Sequence, residues 1–541
     1  MNNSKKHEHG PIERPRFYSL LITVAALAFS LLSAGCGIDF NDPPRLATAT
    51  ARSAAPPAGQ AEPLILPAPT GTPGSAQAET DSSATEAIPA ITPISEGDGL
   101  VLWVDETSAE HKRVLDEIAA EFSDRYGTNM AVQLVSPAIL PDLVSTGVLS
   151  GTLPDLILHP IEYTTGWAES GILDAAATDE VADRLGRETF DSAALELVTV
   201  NGQIAALPSD GFHQLLLYRA DWFEELNLAV PDTYNAIAAA AERINNPEAI
   251  ISGLVIPTES NLITTHQAFE QIALANGCRL IDENGEVLLL EPECAAALEQ
   301  YYTTIHQFSP SGVQTDTSVA IAYLTGRTGI IMTSPAILPD LAGLNEPAMP
   351  TCPECVTGEG GVNYLAQNTG IVTEIRGPNG EPTSFGNIRN LGITSTADRA
   401  AAQAFAEFWF NEGYERWLAV DSERKVPMRL GTQSEPRRFI DAWGILPLGE
   451  SSLSLTDIYG AEVVERLRTG IAAAPRWGIR EGYGGLMTRL YDDYVISIVL
   501  QEMLSGYFDT TTTLREGYRR TIELIPNYVF PDRLAEETGE N

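Results

Sequence analysis

Cysteine has the most chemistry to offer in this chain of 541 residues, and its spacing narrows that chemistry. Cys278, Cys294, Cys352 and Cys355 lie in the second half, while Cys36 stands alone near the start. Thiols act as disulfide partners, redox centres or zinc ligands. Cys352-Pro353-Glu354-Cys355 has the spacing of a redox motif or of half a zinc site. A redox site of thioredoxin type follows a strand and opens a helix. This one lies between Pro350 and the loop-like run Gly358-Glu359-Gly360-Gly361, with no helical pattern behind it. Zinc wants two more ligands at close spacing, and no His lies nearby. The seven His are scattered, His7 and His9 at the very front. There is no G-x-S-x-G elbow, no H-E-x-x-H pair and no G-x-x-x-x-G-K phosphate loop. Acidic pairs are too frequent among 73 Asp and Glu to single out a glycosidase pair. No metal site, cofactor or catalytic set is expected.

The front of the chain reads as an address. Lys5, Lys6, Arg14 and Arg16 precede an apolar stretch over 17–32, and the small residues Ser33-Ala34-Gly35 lead to Cys36. That stretch, about 16 residues, is short for a spanning helix of ~20. Its end resembles the lipobox of bacterial lipoproteins. The resemblance implies a signal peptide over 1–36, with Cys36 lipidated as the first residue of the mature chain. The protein is then expected on the extracytoplasmic face of the cell membrane, held by its lipid anchor. In that compartment the four other Cys, an even count, predict disulfides. Three pairings are open. The most local, Cys278 with Cys294 and Cys352 with Cys355, is expected.

Residues 37–98 are rich in Pro, Ala, Thr, Ser and Gly, as in Ala54-Ala55-Pro56-Pro57-Ala58-Gly59. Such a run lacks the apolar density to offset its ordering entropy and reads as a disordered stalk. The remainder, 99–541, exceeds the usual size of one core, so two lobes are expected. The net charge of −40 argues against a nucleic-acid partner and against adsorption on anionic headgroups. It reads as a solvated acidic surface.

Strands and helices alternate from residue 99 onward, the pattern of an α/β fold with helices over a largely parallel sheet. Leu100-Val101-Leu102-Trp103-Val104 reads as a buried strand. Thr107 and Glu110 read as a capping box for a helix with Leu115, Ile118, Ala119 and Phe122 on one face, ended by Gly127. Strands follow at 131–135, 154–158, 202–208, 215–218 and 253–256, with a helix over 233–244. Another helix is expected over 396–412, stopping near Gly413.

The ordered series across 99–530 resembles the extracellular solute-binding proteins of sugar-binding type that serve ABC importers. Leu102-Trp103-Val104-Asp105, Pro154-Asp155-Leu156-Ile157 and Trp167-Ala168-Glu169-Ser170-Gly171-Ile172-Leu173 carry the early part. Tyr218-Arg219-Ala220-Asp221-Trp222-Phe223, Pro231-Asp232-Thr233-Tyr234, Gly326-Arg327-Thr328-Gly329-Ile330-Ile331-Met332 and Val426-Pro427-Met428-Arg429 carry the rest. The resemblance implies a two-lobed periplasmic-binding-protein type II fold, with ligand in the cleft between lobes joined by hinge segments. It places 99–210 plus 327–391 in lobe 1 and 211–326 plus 392–541 in lobe 2. It implies no enzyme but a monomer that captures a small polar solute, a carbohydrate foremost, for membrane permease subunits. A ligand sensor of the same fold and an exported hydrolase are the alternative readings.

Candidate ligand contacts sit at strand ends and at the proposed hinge. Asp105 and Glu106 follow the first strand; an alternative makes them helix N-terminal charges. His159 and Glu162 follow the third. Asp210, Phe212 and His213 flank Gly211 at the hinge. Glu259 and Asn261, then Thr333 and Ser334, follow later strands. Trp477 and Tyr483, in a glycine-rich loop, are the rings expected to stack on a sugar, whereas Trp103, Trp222 and Trp409 read as core. Arg480, beside them, is a candidate partner for a ligand carboxylate.

Overall fold

The structure is a computed structural model that describes residues 99–346, 348–357, 363–449 and 451–529. The expected signal peptide, Cys36, the expected stalk and the Gly358–Gly361 run lie outside the described residues.

Among the described residues, twelve strands carry the framework: β1 (Leu100–Val104), β2 (Met130–Leu134), β3 (Leu156–Pro160), β4 (Thr199–Val200), β5 (Gln203–Ile204), β6 (Leu207–His213), β7 (Leu215–Arg219), β8 (Ser252–Val255), β9 (Thr328–Thr333), β10 (Thr369–Val372), β11 (Gly386–Ile393) and β12 (Val426–Pro427). They form a six-stranded sheet in the order β12-β6-β11-β3-β1-β2 and a four-stranded sheet in the order β10-β7-β9-β8; β4 and β5 pair alone. β1 runs parallel to β2 and β3, while β11 enters antiparallel between β3 and β6. Each parallel pair is bridged by a helical crossover, as parallel pairing requires.

Period-two alternation explains how β1 is covered. Leu102 and Val104 join Val114, Leu115, Ile118 and Phe122 of helix Ala109–Tyr126 in one apolar cluster, whereas Trp103 faces a second with Leu140, Val144, Ile157 and Trp167. Trp103 and Trp409 are core residues, as expected, and Trp222 is half-buried. The N-cap is Ser108 rather than Thr107: its side chain accepts from the His111 N–H. Gly413 does not stop its helix. The chain passes through a π-turn over Trp409–Gly413 and continues as Tyr414–Leu418. Helices Ile161–Glu169 and Gly484–Asp492 pack so closely that a Cβ on Gly166 would meet Thr488 Oγ1 at 2.5 Å.

The segment expected in the first lobe over 327–391 is divided instead. β9 and β10 pair with β7 in the four-stranded sheet, and only β11 returns to the six-stranded one. Likewise Asp210, Phe212 and His213 lie within β6 rather than in a turn at Gly211, because β6 pairs along its length with β11. Both disulfides join the locally expected partners, Cys278 with Cys294 and Cys352 with Cys355. A short helix, Pro353–Thr357, does follow Cys352, contrary to the sequence pattern.

Candidate functional site

The chain leaves the six-stranded sheet at His213 and enters the four-stranded sheet at Leu215, so Gln214 is the whole crossing. It returns between β10 and β11, and the two crossings touch where the Gln214 N–H donates to the Phe385 carbonyl at 2.9 Å. Above this floor is a cleft of about 540 Å³. One side is the loop ends of the six-stranded sheet: Asp105 to Ser108 after β1, Ser136 to Ala138 after β2, and Pro160. The other side comes from the four-stranded sheet: Pro257 and Asn261 to Thr264 after β8, and Met332 to Ser334 at the end of β9. Phe212, Gln214, Phe385, Asn387 and Arg389 form the floor, and Asp421, Arg424 and Tyr494 close the rim. Strand ends facing a crevice present groups that the sheets themselves leave unused.

The wall near β1 is a dense charge cluster. Arg389 is bound by Glu106 through Nη1 and by Asp210 through Nε (3.1 Å) and Nη2 (2.9 Å). Arg424 Nη2 donates to Glu106 at 3.2 Å and to Asp421 at 3.1 Å. Burial pushes the Glu106 carboxyl up, but Arg424 and Arg389 outweigh it and hold it well below the usual range. Asp105 goes the other way. Burial, with Glu106 and Asp210 nearby, raises it well above the usual carboxylate value, against the pull of Arg389. Its Oδ1 stands 4.0 Å from Arg389 Nη1 and has no hydrogen-bond partner. Two more buried polar atoms on cleft residues lack partners, Asn387 Oδ1 and Arg424 Nε. A buried donor or acceptor left unpaired costs about 1–3 kcal/mol, so three such atoms on residues lining one cleft leave it with unmet hydrogen-bonding capacity. A second depression, about 550 Å³, lies between β10 and helix Leu455–Arg468, but no unpartnered buried side-chain atom among the described residues lines it.

Of the candidates from the sequence, Asp105, Glu106, Phe212, Asn261, Thr333 and Ser334 line the cleft. The others do not. Asp210 is fully buried, and Arg389, Ser209 and Trp417 occupy both its oxygens. His159 lies in the core, its Nδ1 donating to the Ile157 carbonyl at 3.2 Å and its Nε2 accepting from Thr164 at 3.1 Å. Burial lowers its pKa to about 4, so it is neutral. Glu162 sits behind the floor, bound to Gln267 and Arg476. His213 points away and donates to the Thr469 carbonyl at 2.7 Å. Glu259 does not line the cleft; its carbonyl accepts from the Thr265 hydroxyl and the Leu262 N–H. Trp477 is 1% exposed and donates to the Cys278 carbonyl, because its loop folds onto the second apolar cluster. Tyr483 packs on that cluster too. Arg480 is held by Ala472 and Glu196. The rings at the cleft are instead Phe212, Phe385 and Tyr494. Sequence reasoning missed Phe385, Asn387, Arg389, Arg424, Gln214 and Gln267. One signal was readable: Asn387 and Arg389 alternate with Ile388 in a strand whose end is apolar.

A family model for bacterial extracellular solute-binding proteins matches residues 117–437. The chain belongs to that family. It is 22% identical over 436 residues to YcjN of Escherichia coli (strain K12), described as an ABC transporter periplasmic-binding protein, covering 77% of this chain and 91% of that one. The fold is shared with maltose-bound MalE3 of T. maritima (TM-score 0.60, 18% identity, 79% of this chain and 99% of that one). It is shared also with a sugar transporter of Arthrobacter chlorophenolicus A6 with bound laminaribiose (TM-score 0.62, 15% identity, 79% and 100%). Solute-binding proteins of this family are two-lobed α/β carriers, and the two sheets flanking the cleft supply the lobes here.

Proposed function

We propose that this solute-binding protein captures a neutral carbohydrate in the cleft between its sheets and delivers it to an ABC importer, tethered outside the membrane by lipid on Cys36. The observation that carries the reading is a cleft lined by Asp105, Asn387 and Arg424, each with an unpartnered polar atom, together with the rings of Phe212, Phe385 and Tyr494. Hydroxyls both donate and accept, so a sugar satisfies such a mixed set while its C–H faces cover the rings. Both guanidinium groups already carry carboxylates, Arg389 those of Glu106 and Asp210, Arg424 those of Glu106 and Asp421. They leave no free positive charge to select an anion. Related folds hold maltose and laminaribiose, and the curated relative is of an ABC transporter. A thermal-shift screen against maltose, laminaribiose and ribitol, with sugar phosphates and polyamines for contrast, tests the class. A neutral sugar should raise the unfolding temperature, since a ligand at a hundred times its Kd adds ~2.7 kcal/mol. Stabilisation by the charged compounds alone would overturn it. For the anchor, Cys36→Ser should abolish incorporation of labelled fatty acid; continued labelling would rule the anchor out.

A further inference from the structure

Behind the cleft floor lies a buried ionic knot with no place in the ligand contacts described above. Arg476, 3% exposed, is on the loop between helices Leu455–Arg468 and Gly484–Asp492. Its Nη2 donates to Glu162 Oε1 at 2.8 Å, its Nε to Glu270 Oε1 at 3.1 Å and its Nη1 to the Gly386 carbonyl at 3.2 Å. Glu162 belongs to the helix that follows β3 of the six-stranded sheet. Glu270 is on helix Ile263–Ala275, which follows β8 of the four-stranded sheet. Gly386 opens β11 just after the second crossing. One guanidinium therefore joins both halves of the molecule and the segment that passes between them.

Two cleft residues hang on the same group. The Phe385 ring lies 4.2 Å from the guanidinium carbon, and Gln267 Nε2 donates to the Glu162 oxygen that Arg476 also holds, at 3.0 Å. The knot is closed by Tyr491, whose hydroxyl donates to Glu270 Oε2 at 3.0 Å, and by the Trp477 N–H, which donates to Glu270 Oε1 at 2.7 Å. Only a planar fork with donors in several directions can serve all these acceptors; an ammonium on a flexible stem cannot. We propose that Arg476 is a positioning residue of the ligand cleft: it fixes Phe385 and Gln267 in the floor and ties the two sheets at their crossing. Solute affinity then depends on a side chain that does not line the cleft. This rests on the cleft being the ligand site, and the test separates the two claims.

Arg476→Lys keeps a positive charge beside Glu270 without the fork. Arg429→Lys is the control, since Arg429 is equally buried but bonds Phe410, Leu185 and Thr189 away from the cleft. In the ligand-free full chain, Arg476→Lys should speed amide hydrogen exchange about tenfold or more over 383–389 and 263–271 together, with β1 unchanged. Arg429→Lys should leave those two segments alone. Calorimetry with whichever neutral sugar of the panel binds the wild type should show Kd rising about tenfold or more in Arg476→Lys, through faster dissociation, and little change in Arg429→Lys. Exchange that rises evenly through the chain, or equal effects of the two variants on affinity, overturns the role assigned to Arg476. If no sugar binds the wild type, the carbohydrate reading fails, while the exchange pattern still decides for or against Arg476.

Discussion

Asp105 and Asp210 share Arg389, yet only Asp105 has an oxygen to spare. The difference sets opposite expectations for the same substitution. Asp105→Asn replaces a cleft carboxyl group, whose ionisation burial with Glu106 and Asp210 nearby disfavours, by a neutral amide. Sugar affinity should fall a few-fold, the ~0.5–1.5 kcal/mol of a neutral hydrogen bond, with no loss of stability. Asp210→Asn leaves Arg389 short of its buried counter-charge and should cost roughly 3–5 kcal/mol of stability. Calorimetry and urea unfolding on both variants check the pair. Sequence reasoning could not separate these residues, because Gly211 suggests a turn and nothing local reveals that β11 and β12 flank β6. His266 supplies a pH signature. Its ring stacks on Tyr491 at 4.0 Å with neither nitrogen hydrogen-bonded, and burial, helped by Arg476, lowers its pKa to about 3. The unfolded chain takes up a proton below about pH 6.5 that the folded chain refuses until about pH 3, so this group's contribution to stability declines as pH falls through that window. From pH 7 to 5 the loss is about 2 kcal/mol. His266→Phe, which fits the stack, should lose correspondingly less stability than wild type between those pH values in denaturant titrations. Equal losses would show that His266 titrates normally.

Element types were readable where a single periodicity ruled. Leu100–Val104 alternates between two apolar clusters, and the helix expected over 233–244 forms over Tyr234–Ile244, with Thr233 capping it by accepting from the Ala236 N–H. Assignment of strands to sheets was not readable. β6 and β7 are separated only by Gln214; β6 buries Ser209, Asp210 and His213 where β7 buries three leucines, but neither pattern says which sheet the strand joins. The same blindness put β9 and β10 in the wrong lobe. The rings failed for another reason: a glycine-rich loop suggested exposure for Trp477, but a buried carbonyl and Glu270 pull that loop into the core. Disulfides were legible because local pairing and compartment agreed. Cys278–Cys294 closes a loop of sequence separation 16, worth ~3 kcal/mol in the chain-entropy model, whereas Cys352–Cys355, with a separation of 3, constrains far less. Replacing the first pair by Ala should therefore lower unfolding stability clearly more than replacing the second. Equal losses in urea titrations would contradict that ranking.

On the scale of the whole molecule, two sheets joined by crossings at Gln214 and Phe385 suit a carrier that closes on its cargo. A neutral sugar bound between those sheets touches both. Hydrogen exchange of the full chain, with and without the most stabilising sugar of the panel, tests this most directly. Protection should appear together in the loops at 105–108 and 136–138 of one sheet and at 257–264 and 332–334 of the other, with β11 around Asn387 protected as well. Protection confined to one set of loops, or centred on the β10 edge at 369–374, would contradict it.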